Sequence, residues 1–457
     1  MNDVTATERV ALCVLNKWFC FCATHLAIPG LQICIRRKGR IIFSQAYGFA
    51  SLKGKNPYTT ESLGHLASHS KMLAACVTLQ LQQDGVLNIL DPLTKYLPWL
   101  LQHNDERFRE VTIRDLLTHR SGLFSNGSDG CYWALERPFP GEEELIAEVL
   151  QTNLVYAPNT ETKYSNIGFA LLGLVLQAAA GLSYKELVHK LTLDKLQKQS
   201  FLVDYVAGNT QFADGHSKKL YSGQRKIFRH VPANAMAPAT GLCGNAEGAS
   251  LFLHAMCFGD ELLPLGIRRD LLSLKWPVKN VADSSYGLGL AFKTFRGKTY
   301  VGHSGSYPGF SSQTHAWVGT DYVISVVVNA SEPIDFSILR SVANIIGTIR
   351  DAYPAEDLQR VLVSDPMVNW WGGGIYVVGE NKALYFPING WLLGDDAVQL
   401  ERRKDGAYES QKMSGYSSVG EPVRFDIERE QIIRVKFGSF TIFPEKIFLE
   451  KSKAAFI

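Results

Sequence analysis

Charge of one sign is what this chain most lacks. Across 457 residues, 47 Lys and Arg face 44 Asp and Glu, leaving a net charge of +3. The basic residues are scattered rather than gathered into a stripe, so the electrostatic footprint of a nucleic-acid binder is missing. The tightest basic run, Arg36-Arg37-Lys38-Gly39-Arg40, reads as a solvated hairpin turn. Long apolar runs are missing too. The stretch from Val10 to Ala23 is interrupted by Asn16 and Lys17 and is too short to span a bilayer. It is expected to form an amphipathic first helix packed on the domain. The opening Met1-Asn2-Asp3-Val4-Thr5-Ala6-Thr7-Glu8 is acidic where a secretory leader carries positive charge, so a cytoplasmic location is expected.

Several catalytic signatures are absent as well. The eight cysteines show no C-x-x-C and no zinc spacing, and several sit in apolar runs, as buried free thiols do. No Gly-x-Ser-x-Gly occurs, which excludes the nucleophile elbow of α/β-hydrolases. No H-E-x-x-H or comparable ligand set points to a metallohydrolase, and no metal or other cofactor is expected. Asn126-Gly127-Ser128 and Asn329-Ala330-Ser331 match the glycosylation pattern but mean nothing in a protein that is not secreted. With 46% hydrophobic and 20% charged residues, the chain can bury one large core or two unequal ones.

What is present is a set of chemical groups in order. Ser68-His69-Ser70-Lys71 begins a helix-like run that continues through Met72-Leu73-Ala74-Ala75-Cys76-Val77 to Gly85, and it holds the chain's sole Ser-x-x-Lys. Serine and lysine three apart on a helix share a face, so the amine can reach the hydroxyl. Lysine acts as a base only where burial or a neighbouring cation disfavours its charged form, and the apolar run behind Lys71 offers burial. Downstream, Tyr164-Ser165-Asn166 opens an apolar run from Ile167 to Ala180 that reads as a buried helix. Far beyond it, Gly302-His303-Ser304-Gly305-Ser306 lies in a segment of strand character.

These motifs resemble those of the serine β-lactamases and penicillin-binding proteins: S-x-x-K, then Y-x-N or S-x-N, then K-T-G or H-x-G. The Tyr-x-Asn form points to the branch with class C β-lactamases, D-aminopeptidases and related esterases and transesterases. Further matching segments are 43–50, 91–98, 111–123, Ala239-Thr240-Gly241-Leu242 and 286–290, so the resemblance covers about residues 8–350. It implies an α+β fold: an antiparallel sheet built from both chain ends, flanked by helices, with an inserted helical region. Strand signals agree at 31–35 and 40–46 around a Lys38-Gly39 turn, and again at 286–295, 299–302, 311–317 and 322–328. A helix from about Ile334 to Ala352 is expected to close a catalytic domain of residues 1–353. Residues 354–457 carry short strand-like runs and are expected to form a small antiparallel, lipocalin-like β domain without catalytic groups, more a cap than a pocket wall.

The resemblance implies a serine hydrolase or acyltransferase working through an acyl-enzyme. Ser68 attacks, Lys71 or Tyr164 takes its proton, and Asn166 holds the lysine or a substrate amide. The backbone N–H groups of Ser68 and Ser306, beside Gly305, cradle the oxyanion. Tyr164 serves as a base only if a cation, Lys71 being the candidate, favours its phenolate. His303 stands where many relatives have lysine and would polarise the site or touch a substrate carboxylate; as a neutral group it anchors an anion weakly. The aromatic loop from Gly122 to Pro140 suggests a bulky, largely apolar acyl group, with ordinary packing as the alternative. The expected partner is a small-molecule acyl donor of secondary-metabolite type, free or carrier-bound, with no nucleic acid and no membrane span. Oligomeric state is open. The competing reading is the same fold repurposed for binding or for a cyclisation without an acyl-enzyme; His69 inside the first motif favours it, and the survival of every motif residue opposes it.

Overall fold

A computed structural model describes residues 4–196, 201–220, 222–332, 337–370, 372–389, 392–393, 397–410, 420–438 and 440–452. The chain divides into two compact units, one spanning Pro29–Pro333 and the other joining Met1–Ile28 to Ile334–Ile457.

The larger unit is organised around a nine-stranded antiparallel sheet. Its strands are β1 (Gly30–Arg37), β2 (Arg40–Ser51), β3 (Asn56–Pro57), β4 (Lys275–Pro277), β5 (Ser284–Gly287), β6 (Ala291–Phe295), β7 (Lys298–Tyr307), β8 (Phe310–Trp317) and β9 (Tyr322–Val328). They lie in the order β3-β2-β1-β9-β8-β7-β6-β5-β4, so the first and last long strands pair, with Leu31 opposite Val328. The expected Lys38-Gly39 turn joins β1 to β2, and both residues take positive φ, which matches the right-handed twist of the strands. Every residue of β8 is buried, and the Ala246–Cys257 helix packs on β1, β8 and β9.

Residues 52 to 274 between the sheet's two halves are mostly helix and loop. The Ser70–Gln83 helix is apolar on all sides and is buried from Ser70 to Leu81. The Asn166–Ala180 helix starts at Ser165, whose hydroxyl accepts from the Gly168 N–H, and stops at Gly181 in the left-handed conformation. Strand β7 crosses close to the turn that carries Ser68. Gly305 permits this, since a Cβ there would lie 2.2 Å from the Leu66 carbonyl oxygen and 2.4 Å from Ser312 Oγ.

In the second unit, eight antiparallel strands close on themselves. They are Met367–Asn369, Gly372–Val378, Lys382–Asn389, Val398–Arg402, Tyr408–Glu409, Val423–Glu428, Gln431–Phe437 and Phe440–Pro444, each paired with the next. Met367 pairs back to Pro444, making a small barrel filled by Met367, Tyr376, Leu400, Val423 and Val435. The expected β domain is therefore present. The helices Ala6–His25 and Ser337–Ala352 pack on each other and group with this barrel, whereas the expected division placed both in residues 1–353. Apolar periodicity marks a helix's buried face without naming its partner. Ile334 and Trp391 lie outside the described residues. Among those described, no single helix is long and apolar enough to cross a membrane.

His69 ties the Ser68 turn to the sheet, with Nδ1 2.8 Å from the Leu66 carbonyl and Nε2 2.8 Å from Thr314 Oγ1. Burial, assisted by nearby Lys71, lowers its pKa from 6.5 to about 4. The unfolded chain thus takes up a proton that the folded protein refuses, so the stability held at neutral pH is lost as pH falls from 6.5 towards 4. Urea midpoints measured across that window are expected to fall on acidification, with a shallower fall in His69→Gln. An unchanged slope in that variant would show that His69 carries no share of it.

Candidate active site

Ser68 sits on a single 3-10 turn, Ala67–His69, that runs directly into the Ser70–Gln83 helix. Ala67 adopts φ +52°, a conformation that costs a residue with a Cβ about 1–2 kcal/mol. The surroundings hold it there. Ser70 Oγ donates to the Ala67 carbonyl at 2.7 Å and accepts from the Leu242 N–H at 2.8 Å, while the Leu66 N–H donates to the Leu242 carbonyl at 2.8 Å. Ser70 is thereby consumed in structure, and Ser68 is left half-buried beside its partners.

Lys71 is fully buried. Its Nζ lies 2.7 Å from Asn166 Oδ1, 2.7 Å from the Ala239 carbonyl oxygen and 3.1 Å from Ser68 Oγ. The rings of Tyr164 and Phe169 stand 4.7 and 5.6 Å from the same nitrogen. Burial pushes the lysine well below its ordinary pKa. The Asn166 and Ala239 oxygens accept from Nζ, and Ser68 Oγ is the third oxygen within its reach.

Tyr164 Oη donates to Ser68 Oγ at 2.8 Å. Desolvation around its ring raises its pKa, although 38% of the residue's surface stays open. Its ring packs on His119 at 4.2 Å. Tyr164 and Lys71 thus both lie within hydrogen-bond reach of Ser68 Oγ. His119 takes the Ser165 N–H on Nδ1 at 3.2 Å, is itself held neutral by burial, and fixes the backbone beside Tyr164.

His303, Gly305 and Ser306 all lie on β7, with Gly305 buried and Ser306 exposed. Both nitrogens of His303 are engaged: Nδ1 donates to the Ser304 carbonyl at 2.6 Å, and Nε2 accepts from Tyr286 Oη at 3.0 Å. Burial and Lys71 lower its pKa well below 6.5. Both ends of the ring are thus held within the protein.

The structure adds groups that the motifs did not reveal. Loop 124–126 clamps the second motif: Ser165 Oγ donates to the Phe124 carbonyl at 2.5 Å, the Asn166 N–H to the Ser125 carbonyl at 2.8 Å, and Asn166 Nδ2 to Asn126 Oδ1 at 2.7 Å. Asn126 had stood out only as part of a glycosylation pattern. Ala239 contributes through its main chain, which no side-chain motif can signal. Two of the four aromatics of the same loop turn inward: Tyr132 and Phe139 are buried, while Trp133 is half-buried and donates to Asn126 Oδ1 at 2.9 Å, and Phe124 is exposed. Ordinary packing accounts for Tyr132 and Phe139. A separate cavity of about 250 Å³ between Gly173, Tyr184, Asp204 and Pro238 includes none of the motif residues. Among the described residues, no cluster of His, Cys, Asp and Glu is arranged to hold a metal ion.

Comparison with known proteins gives the family. A family model described as beta-lactamase matches residues 16–345. Penicillin-binding protein 4* of Bacillus subtilis (strain 168) is 23% identical over 394 residues, covering 78% of this chain and 82% of that protein. Among solved structures, the octameric penicillin-binding protein homologue from Pyrococcus abyssi aligns with a TM-score of 0.65 at 19% identity, over 94% of this chain and 98% of its own. The D-amino acid amidase from Ochrobactrum anthropi SV3 aligns with a TM-score of 0.62 at 18% identity, over 74% and 99%. At such identities the structural matches speak for the fold alone. The family model spans more than two thirds of the sequence and includes every group gathered around Ser68, and the chain belongs to the β-lactamase family of serine hydrolases.

Proposed function

We propose that the protein works through an acyl-enzyme on Ser68, cleaving or transferring the acyl group of an ester, thioester or amide. One observation carries this: Ser68 Oγ is met by Lys71 Nζ at 3.1 Å and by Tyr164 Oη at 2.8 Å. Lys71 takes the Ser68 proton as Oγ bonds to the acyl carbon. The carbonyl oxygen gains charge facing the N–H groups of Ser68 and Ser306. The bond to the leaving group then breaks as Tyr164 supplies the leaving group's proton, and the Lys71 ammonium restores the phenol. Water, an alcohol or an amine reverses these steps to release the acyl group. Asn166 holds the lysine throughout.

The neutral, occupied His303 favours an uncharged acyl donor over a carboxylated β-lactam. A specialised small molecule, free or carrier-bound and handled inside the cell, is the substrate class most compatible with such a site. The competing use of the fold for binding alone would leave the geometry at Ser68 without a purpose.

An active-site fluorophosphonate should add mass to the wild type and not to Ser68→Ala; label appearing on Ser70 would refute the assignment. Lys71→Ala, Tyr164→Phe and the double variant should share residual rates within about tenfold, because members of one proton-transfer unit are not additive. Additive losses would mean that the two act in separate steps. A neutral acyl ester should exceed a cephalosporin in kcat/KM, and added alcohol or amine should divert product from the acid to the ester or amide. Cephalosporin turnover at about 10⁵ M⁻¹s⁻¹ or above would reverse the substrate preference.

A further inference from the structure

Resting on the acyl-enzyme role of Ser68 and Lys71, we propose that Trp133 and Asn126 are positioning residues that set the polarity of the amide facing the catalytic lysine. An indole N–H only donates. Trp133 Nε1 lies 2.9 Å from Asn126 Oδ1, so the carboxamide of Asn126 must present its oxygen there. The same oxygen accepts from Asn166 Nδ2 at 2.7 Å. Asn166 is thereby turned with Oδ1 towards Lys71, also at 2.7 Å. Asn126 is itself pinned by its main chain, whose carbonyl accepts from Tyr132 Oη at 2.7 Å.

The consequence reaches the nucleophile. If Asn166 were flipped, an NH₂ group would face Lys71, and the neutral amine would turn its lone pair to that group and away from Ser68 Oγ. With Asn166 oriented as it is, its Oδ1 and the Ala239 carbonyl accept from Nζ, and Nζ is held 3.1 Å from Ser68 Oγ, where its unprotonated form takes the serine proton. One donor-only indole, two amide groups removed from Lys71, therefore selects the productive orientation of the base. Among the described residues, the titratable groups around Lys71 are Tyr164 together with His69, His119 and His303, with no carboxylate among them.

The test compares rates of Ser68 acylation by a fluorophosphonate, followed by intact mass across pH, in wild type, Trp133→Phe, Asn126→Leu and Asn126→Asp. Trp133→Phe and Asn126→Leu should acylate roughly tenfold more slowly, the scale of one lost hydrogen bond, with KM for an ester substrate nearly unchanged. Asn126→Asp keeps an acceptor for both Trp133 and Asn166. It should recover most of the rate while moving the acidic limb of the profile to higher pH, because its charge lets Lys71 hold a proton longer. Equal rates in Asn126→Leu and Asn126→Asp would overturn the relay. So would a wild-type rate per folded molecule in Trp133→Phe, with only the melting temperature lowered, since that marks a purely structural contact. Absence of label on wild-type Ser68 would instead remove the acyl-enzyme role, and the relay with it.

Discussion

A lysine without exposed surface and, among the described residues, without a carboxylate beside it is the constraint from which this site is built. An isolated ammonium cannot be buried cheaply, and burial pushes the lysine well below its ordinary pKa. The N–H bonds of its amine still need acceptors. Asn166 at the start of a buried helix supplies one and the Ala239 main chain the other. The positions of both follow from packing: the 166–180 helix is capped at Ser165 and clamped by loop 124–126, and the Ala237–Gly241 segment packs on the 70–83 helix. Burial lowers the pKa values of three neighbouring histidines, at 69, 119 and 303, in the same way, so this pocket disfavours positive charge throughout.

The parts of this site that lie in short local motifs were legible in the sequence. Ser68 and Lys71 share a helical face, and Tyr164 and Asn166 straddle a helix start, so their chemistry can be inferred from spacing. The β1–β2 hairpin was legible for a similar reason, since Lys38-Gly39 tolerates the positive φ that such a turn demands. Contributions made through space were not. Trp133 and Asn126 reach Asn166 across about 40 residues by hydrogen bonds that no periodicity encodes. Aromatic content in loop 122–140 suggested a pocket wall, but composition does not tell which way a ring points, and Tyr132 and Phe139 point into the core. The C-terminal strands could be recognised singly, whereas closure depends on Met367 meeting Pro444, a pairing visible only once the ends are brought together. The helix at 6–25 shows the same limit: its apolar face was plain, and its grouping with a barrel more than 300 residues later was not.

The pairing of β1 with β9 has a consequence for how the chain is made. Leu31 leaves the ribosome early, yet its partner Val328 is synthesised about 300 residues later. At ordinary elongation rates of about 5–20 residues per second, the β1–β2 hairpin waits roughly 15–60 s for the strand that completes the sheet. During that interval Leu31, Ile33 and Ile35, each fully buried in the finished protein, have no sheet to enter. Such an unpaired strand edge invites association with other nascent chains. The enzyme's yield in a cell therefore depends on what shelters its first hairpin during translation, and slowing elongation after β2 should reduce soluble protein without touching the stability of molecules already folded.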